Sequence, residues 1–212
     1  MSAFNTLIEQ GFPVDSVRRI VTDTLACYGD EPCSRSQAAA HETGHWIIGD
    51  TMGLGPYRLL RVFRRHGQWL GENLPMDNST AHAIDEPKRY RCHTLQMIGG
   101  FAGELASGHC HPSSSIDERT LFQSMCHTIA HFEGCHTVAL HMAAFWVAAE
   151  IIEARREDFN RVRHHLERER RILRPQLDRM SRPDPEPWLR RWNDLAANMP
   201  TEVIGDMLEM LP

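Results

Sequence analysis

The sequence has little lysine and no basic surplus. Lys88 is the only lysine among 23 basic residues, and the formal net charge is −5. Proteins that hold nucleic acid by charge normally carry an excess of basic residues. We therefore expect no nucleic-acid partner.

The six cysteines include no C-x-x-C pair, which excludes a zinc-ribbon site. They are also too sparse for a small disulfide scaffold. Reduced, half-buried thiols are the expectation, with a Cys27–Cys33 bridge as the alternative in an oxidising compartment.

The sequence also shows neither the pattern of a signal peptide nor that of a membrane-spanning helix. No cationic stretch followed by an apolar stretch opens the sequence, so we expect no cleaved signal peptide. The longest apolar stretch, residues 138–152, is interrupted by His141 and Glu150, which favours a buried helix over a membrane span. A soluble, cytoplasmic protein is predicted.

Apolar periodicity predicts a mainly α (α+β) fold with a small β-hairpin. Ser34 or Ser36 can cap the first well-defined helix, and His66-Gly67 is a turn signal between two strands. Three glycines inside a predicted helix indicate that another element packs very close to it. One helix each is predicted over 34–52, 89–107 and 117–133, one or two helices over 136–173, and strands over 57–63 and 68–75.

The run His41-Glu42-Thr43-Gly44-His45 carries the main chemical signal. His-Glu-x-x-His on a helix places two imidazoles one turn apart on the same face, where a tetrahedral metal can bind both. The intervening glutamate can take a proton from water and pass it to a leaving amine. Two buried histidines and a glutamate need partners, which favours a metal site over the alternative, a satisfied structural cluster without metal.

A third metal ligand is required, and spacing does not choose it. The residues open at this point are Asp117, Glu104, Cys110, and His109 or His111. Cys110 would give a His₂Cys site like that of peptide deformylases.

Four segments in order resemble the protease domain of the FtsH-type membrane proteases. They are AAAHETGHWIIG at 38–49, PYRLLRVFRRHGQWLGENLP at 56–75, MIGGFAGELA at 97–106 and SSSIDERT at 113–120. The similarity covers roughly residues 34–175. It implies a zinc peptidase domain at 34–182. The flanking segments have no assignable counterpart in that family, and their sequence pattern predicts an N-terminal helical extension (1–33) and a Pro-rich linker with a C-terminal helical tail (183–212).

The resemblance also implies roles for individual residues. His41, His45 and Asp117 would hold one zinc ion, Glu42 would be the general base, and Glu104 would orient a ligand histidine. The strand beside the active site would offer its edge to an extended peptide substrate. That substrate-binding segment is Trp69, Leu70, Gly71, Glu72 and Asn73.

The sequence departs from this family in one large respect. FtsH-type proteases carry an AAA+ ATPase module and membrane helices, whereas no G-x-x-x-x-G-K-[ST] phosphate loop occurs here. An ATP-independent zinc metalloendopeptidase for peptides or unfolded proteins, acting through a zinc-activated water, is the leading hypothesis. A homo-oligomer is possible, since the resembling family forms rings of six.

Two other functions remain open from the sequence. One is a non-catalytic zinc-binding module with a regulatory or interaction role. The other is a metallohydrolase for small amides, which would need a closed cavity. Trp46, one residue past His45, would either narrow such a pocket or fill the core.

Overall fold

A capping box starts the helix that carries the motif. The Ser34 hydroxyl accepts a hydrogen bond from the Gln37 amide at 3.2 Å, and the Gln37 side chain accepts one from the Ser34 amide at 2.8 Å. This reciprocal pair satisfies two N–H groups that a helix start otherwise leaves unpaired. The helix therefore begins where the sequence predicts.

The computed structural model describes residues 32–76, 86–108 and 116–199, without the side chains of residues 116, 117 and 119. The helices predicted in 1–31 and the end of the predicted tail, 200–212, lie outside this part. The described elements, in chain order, are α1 (Arg35–Thr51), β1 (Tyr57–Arg65), β2 (Gln68–Pro75), α2 (Pro87–Met97), α3 (Gly99–Ala106), α4 (Ile116–Glu133), α5 (Thr137–Ala154), α6 (Arg156–Glu169), β3 (Arg171–Leu173), α7 (Arg174–Asp178) and α8 (Pro185–Ala197).

These elements confirm a mainly helical fold with a small antiparallel sheet of three described strands, ordered β2-β1-β3. The predicted hairpin is present, and its turn residues His66 and Gly67 both have positive φ, as a tight two-residue hairpin turn requires. Leu60 and Val62 of β1 are buried in the core, whereas the edge strand β2 is largely half-buried. Strand β2 therefore keeps one edge of the sheet near the surface.

Helix α1 is the centre of the fold, because every residue from Ala38 to Thr51 is buried. Helices α2, α3, α5 and α6 and strands β1 and β2 all pack against it. Trp46 is 1% exposed and lies near Arg155 in the core. Of the two roles open to Trp46, the structure shows the core-filling one.

The single helix predicted over residues 89–107 is wrong. It is two helices, α2 and α3, which meet at Ile98 (φ −84°, ψ −4°). The glycine pair after Ile98 weakens helical continuity, and the break lets α3 lie directly against α1. The prediction of one or two helices over 136–173 is confirmed by the two helices α5 and α6, except that its last three residues, Arg171–Leu173, form β3.

Helix α8 belongs to the segment predicted as linker and tail, and it packs against α5. Trp192 is fully buried and its indole N–H donates to the Leu140 carbonyl at 3.0 Å. Cys33, Cys92, Cys126 and Cys135 form no disulfide with one another, whereas Cys27 and Cys110 lie outside the described residues.

Helix α5 is long and apolar enough to cross a membrane, and 56% of it is buried inside the protein. Core helices of soluble proteins share both properties. The absence of a membrane span therefore stays a prediction.

Candidate metal centre

Helix α1 carries His41, Glu42 and His45, and Glu42 and His45 line one cleft. The two histidines are one turn apart and therefore share a helix face. Each of the three residues is only 6% exposed. Burying three ionisable groups this deeply is costly unless they are paired or bind an ion.

The third group at this point is Glu118, near the start of α4. Its two carboxylate oxygens lie 3.1 Å from His41 Nε2 and 3.1 Å from His45 Nε2, respectively. The two Nε2 atoms are themselves 3.1 Å apart. Three ligand atoms thus converge on one point, within 4.8 Å of one another.

The separations between these ligand atoms fit a cation with tetrahedral coordination. Zinc binds imidazole nitrogen and carboxylate oxygen at about 2.0–2.2 Å, which places neighbouring ligand atoms about 3.3 Å apart. Among the described residues, His41, His45 and Glu118 therefore offer three of four positions and leave one open, the pattern of catalytic rather than structural zinc sites.

The outer nitrogens of both histidines are held by acceptors. His45 Nδ1 donates to the Gln96 carbonyl of α2 at 2.7 Å, which fixes the tautomer, because a carbonyl can only accept. His41 Nδ1 lies 2.7 Å from the carboxylate of Glu104, which is fully buried in α3. When the rings are neutral, both Nε2 lone pairs face the shared point. Such outer partners orient metal-binding histidines and raise their basicity.

Glycine residues in α1 and α3 let these two helices pack very close to each other. A Cβ at Gly44 would overlap the Gly99 carbonyl, and one at Gly103 would overlap the Ala40 carbonyl. Gly100 lies directly beneath the two imidazoles, where a Cβ would overlap His41 and lie 2.5 Å from His45 Nε2. The close packing predicted for this helix is confirmed, and it brings Glu104 within reach of His41.

The charges in the site are strongly coupled. Burial lowers the pKa of His41, but Glu104 and Glu118 outweigh it, so the net pKa is raised well above its ordinary value. At His45 burial likewise lowers the pKa, and Glu118 reverses the direction. Burial raises the pKa of Glu118, yet the two histidines bring it far below its usual range. The cluster attracts positive charge between its three members.

Glu42 lies on the other side of the cleft, under β2. Burial raises the pKa of Glu42, with the two histidines opposing that shift. A Cβ at Gly71 would overlap the Glu42 side chain, so only glycine allows the strand to cover this carboxylate. The Asn73 side chain donates to the Glu42 carbonyl at 2.9 Å and ties β2 to α1.

The cleft has a volume of about 260 Å³. Of the predicted substrate-binding segment, Gly71, Glu72 and Asn73 line it. Trp69 lies instead between the guanidinium groups of Arg35 and Arg170, with ring distances of 5.3 and 5.5 Å. Leu70 is 38% exposed on the surface.

Among the open third-ligand candidates, the described structure places only Glu104, which contacts the outer nitrogen of His41. The Asp117 side chain and residues His109, Cys110 and His111 lie outside the described part. Asp117 as a ligand therefore stays a prediction. Glu118 was missed, although it is the next residue, because spacing alone does not show which face of α4 meets α1.

No protein-family model matches the chain, and no curated protein matches its sequence significantly. The function of the chain is therefore inferred from its residues and their geometry.

Proposed function

We propose that the chain is an ATP-independent zinc metalloendopeptidase that hydrolyses peptide bonds in peptides or unfolded proteins. The observation that carries the proposal is the convergence of His41, His45 and Glu118 next to a cleft that is lined by His45, Glu118 and the buried carboxylate Glu42. A buried cluster that only stabilised the fold would have no need of an open position or of a second carboxylate beside it.

The proposed reaction divides the work between the metal and Glu42. A zinc ion held by His41, His45 and Glu118 would polarise the substrate carbonyl and make the attacking water more acidic. Glu42 takes the proton from that water as its oxygen bonds to the carbonyl carbon. Glu42 then gives the proton to the amide nitrogen as the C–N bond breaks. Burial suits Glu42 to this exchange, since it raises the pKa of the carboxyl towards neutral pH.

The edge of β2 supports an extended substrate. The Trp69 amide donates outward to the Cys33 carbonyl at 3.2 Å, so the amides of Gly71 and Asn73 also face outward by strand alternation. Within the described residues, neither makes a backbone hydrogen bond on that side. A peptide paired there by its main chain would lie across Glu42. Main-chain pairing depends little on the side chains of the peptide, so broad sequence specificity is expected.

The same observations count against a hydrolase for small amides. That function needs a closed cavity around Trp46, whereas Trp46 is in the core and the cleft is bordered by Gly71, Glu72 and Asn73 of the edge strand β2. A non-catalytic module is an outcome that experiment decides.

The test is Glu42→Gln in zinc-loaded protein, with cleavage of unfolded casein and of a fluorogenic peptide library as readouts. We expect loss of cleavage with zinc retained, because Glu42 is not among the three converging ligands. The matched control is Glu153→Gln, an exposed carboxylate on α5, which leaves cleavage unchanged. Wild-type protein that holds zinc and cleaves nothing would refute the proposal and favour the non-catalytic module.

A further inference from the structure

His93 is a buried histidine of α2 that the proposed reaction does not yet use. It is 5% exposed, and it lines the same cleft as Glu42, His45 and Glu118. Neither ring nitrogen has hydrogen-bond geometry to a described group, although the Gln96 side chain is close enough to favour the protonated ring. A buried imidazole without a well-made hydrogen bond costs stability.

The position of His93 is fixed relative to the metal centre. It stands one turn before Gln96 on α2, and the Gln96 carbonyl accepts the hydrogen bond from His45 Nδ1 at 2.7 Å. The Gln96 side chain in turn donates to the Tyr57 hydroxyl at 3.0 Å, which ties α2 to β1. The helix that orients a ligand therefore also sets the place of His93 in the cleft.

His93 is not a fourth member of the converging group. The ligand atoms that meet within 4.8 Å in the described residues belong to His41, His45 and Glu118 alone. Burial lowers the pKa of His93, and the charge of Arg89 lowers it further, which favours the neutral ring. A neutral imidazole keeps one N–H donor.

Taking the proposed peptidase function as its basis, we propose that His93 is a further catalytic residue, which donates an N–H to the carbonyl oxygen of the scissile peptide as that oxygen becomes negative. Donors placed in a water-poor site where charge develops stabilise the transition state more than the ground state. The carboxylates in this cleft cannot do this while ionised, because they only accept hydrogen bonds.

The experiment compares His93→Phe, which keeps a ring and removes both nitrogens, with His93→Gln, which keeps an N–H. We expect kcat to fall by roughly 10²–10³-fold for Phe, with KM and zinc content close to wild type. The loss in kcat should be smaller for His93→Gln than for His93→Phe. His93→Leu, which needs less room, replaces Phe if that variant does not fold by circular dichroism.

A second readout does not depend on turnover. Calorimetry on the zinc-loaded proteins measures binding of a phosphinic peptide, whose tetrahedral oxyanion resembles the transition state, and of the corresponding product peptide. Phe or Leu at position 93 should lower the affinity for the phosphinic peptide by a factor similar to the loss in kcat. The affinity for the product peptide should not change. Equal phosphinic affinity in wild type and the apolar variant would overturn the role of His93.

The two proposals fail separately. Failure of the proposed function appears as wild-type protein that cleaves no peptide. Failure of the His93 proposal appears as an active wild type whose His93→Phe or His93→Leu variant keeps both kcat and phosphinic affinity.

Discussion

The middle and the C-terminal end of α1 both bury charge, but only one of them is satisfied by the protein. At the C-terminal end, the Asp50 carboxylate accepts hydrogen bonds from Arg155 at 2.7 Å, from the Arg182 amide at 2.9 Å and from the Ser181 hydroxyl at 2.5 Å. Arg155 also reaches Asp158 and the Met180 carbonyl. Here a buried carboxylate meets a guanidinium and two further donors.

In the middle of the same helix, the buried groups that face one another are hydrogen-bond acceptors when the imidazoles are neutral, and acceptors cannot pair with one another. Two imidazole nitrogens and a carboxylate, which is an acceptor only, face one point at separations of 3.1 Å. Their arrangement is complete only when a proton or a cation lies between them. Burial of polar residues therefore does not by itself indicate a functional site, whereas convergence of acceptors on one point marks a group that could hold a metal ion.

The largest stability effect should come from breaking the satisfied end. Asp50→Asn leaves the Arg155 guanidinium buried with weaker compensation, and we expect unfolding to become easier by about 3–5 kcal/mol. Urea denaturation measures the loss, and zinc bound per folded chain should not change. Asp178→Asn is the control, because it removes a half-exposed pair with Arg174 and should cost no more than about 0.5 kcal/mol. Equal losses in the two variants would show that the Asp50 cluster does not anchor α1.

A smaller effect, confined to the metal, should follow from Glu104→Gln. Glutamine still accepts the His41 hydrogen bond but loses the charge that makes the ring a stronger ligand. We expect zinc affinity to fall roughly 10–100-fold, measured by competition with a chromophoric chelator. The control is Glu150→Gln, another hydrogen-bonded carboxylate, which pairs with Arg191 away from the site. Unchanged zinc affinity in Glu104→Gln would mean that this carboxylate does not tune the metal centre.

Features of the fold with a local sequence pattern could be predicted, whereas contacts between distant residues could not. The capped start of α1, the hairpin and the close glycine packing follow from local patterns, and the structure confirms them. The Asp50–Arg155 cluster joins residues 105 positions apart and has no local signature. The break at Ile98 was missed because a pair of glycines also fits a continuous, closely packed helix.

The candidate site divides in the same way. His41, Glu42 and His45 lie on one helix at fixed spacing, so the shared face of the two histidines could be read from the sequence alone. Glu118 depends on the rotation of α4 relative to α1, which a one-residue shift changes by about 100°. His93 has no motif, and its place in the cleft appears only once α2 is packed against α1.

The middle of α1, in this interpretation, is completed by zinc. The most direct test is zinc content per chain after reconstitution and dialysis, measured by mass spectrometry of the metal in wild type, Glu118→Gln and Asp117→Asn. We predict about one zinc in wild type and in Asp117→Asn, and none in Glu118→Gln. Wild-type protein that retains no zinc would contradict this interpretation, and loss of zinc in Asp117→Asn alone would return the third ligand to Asp117.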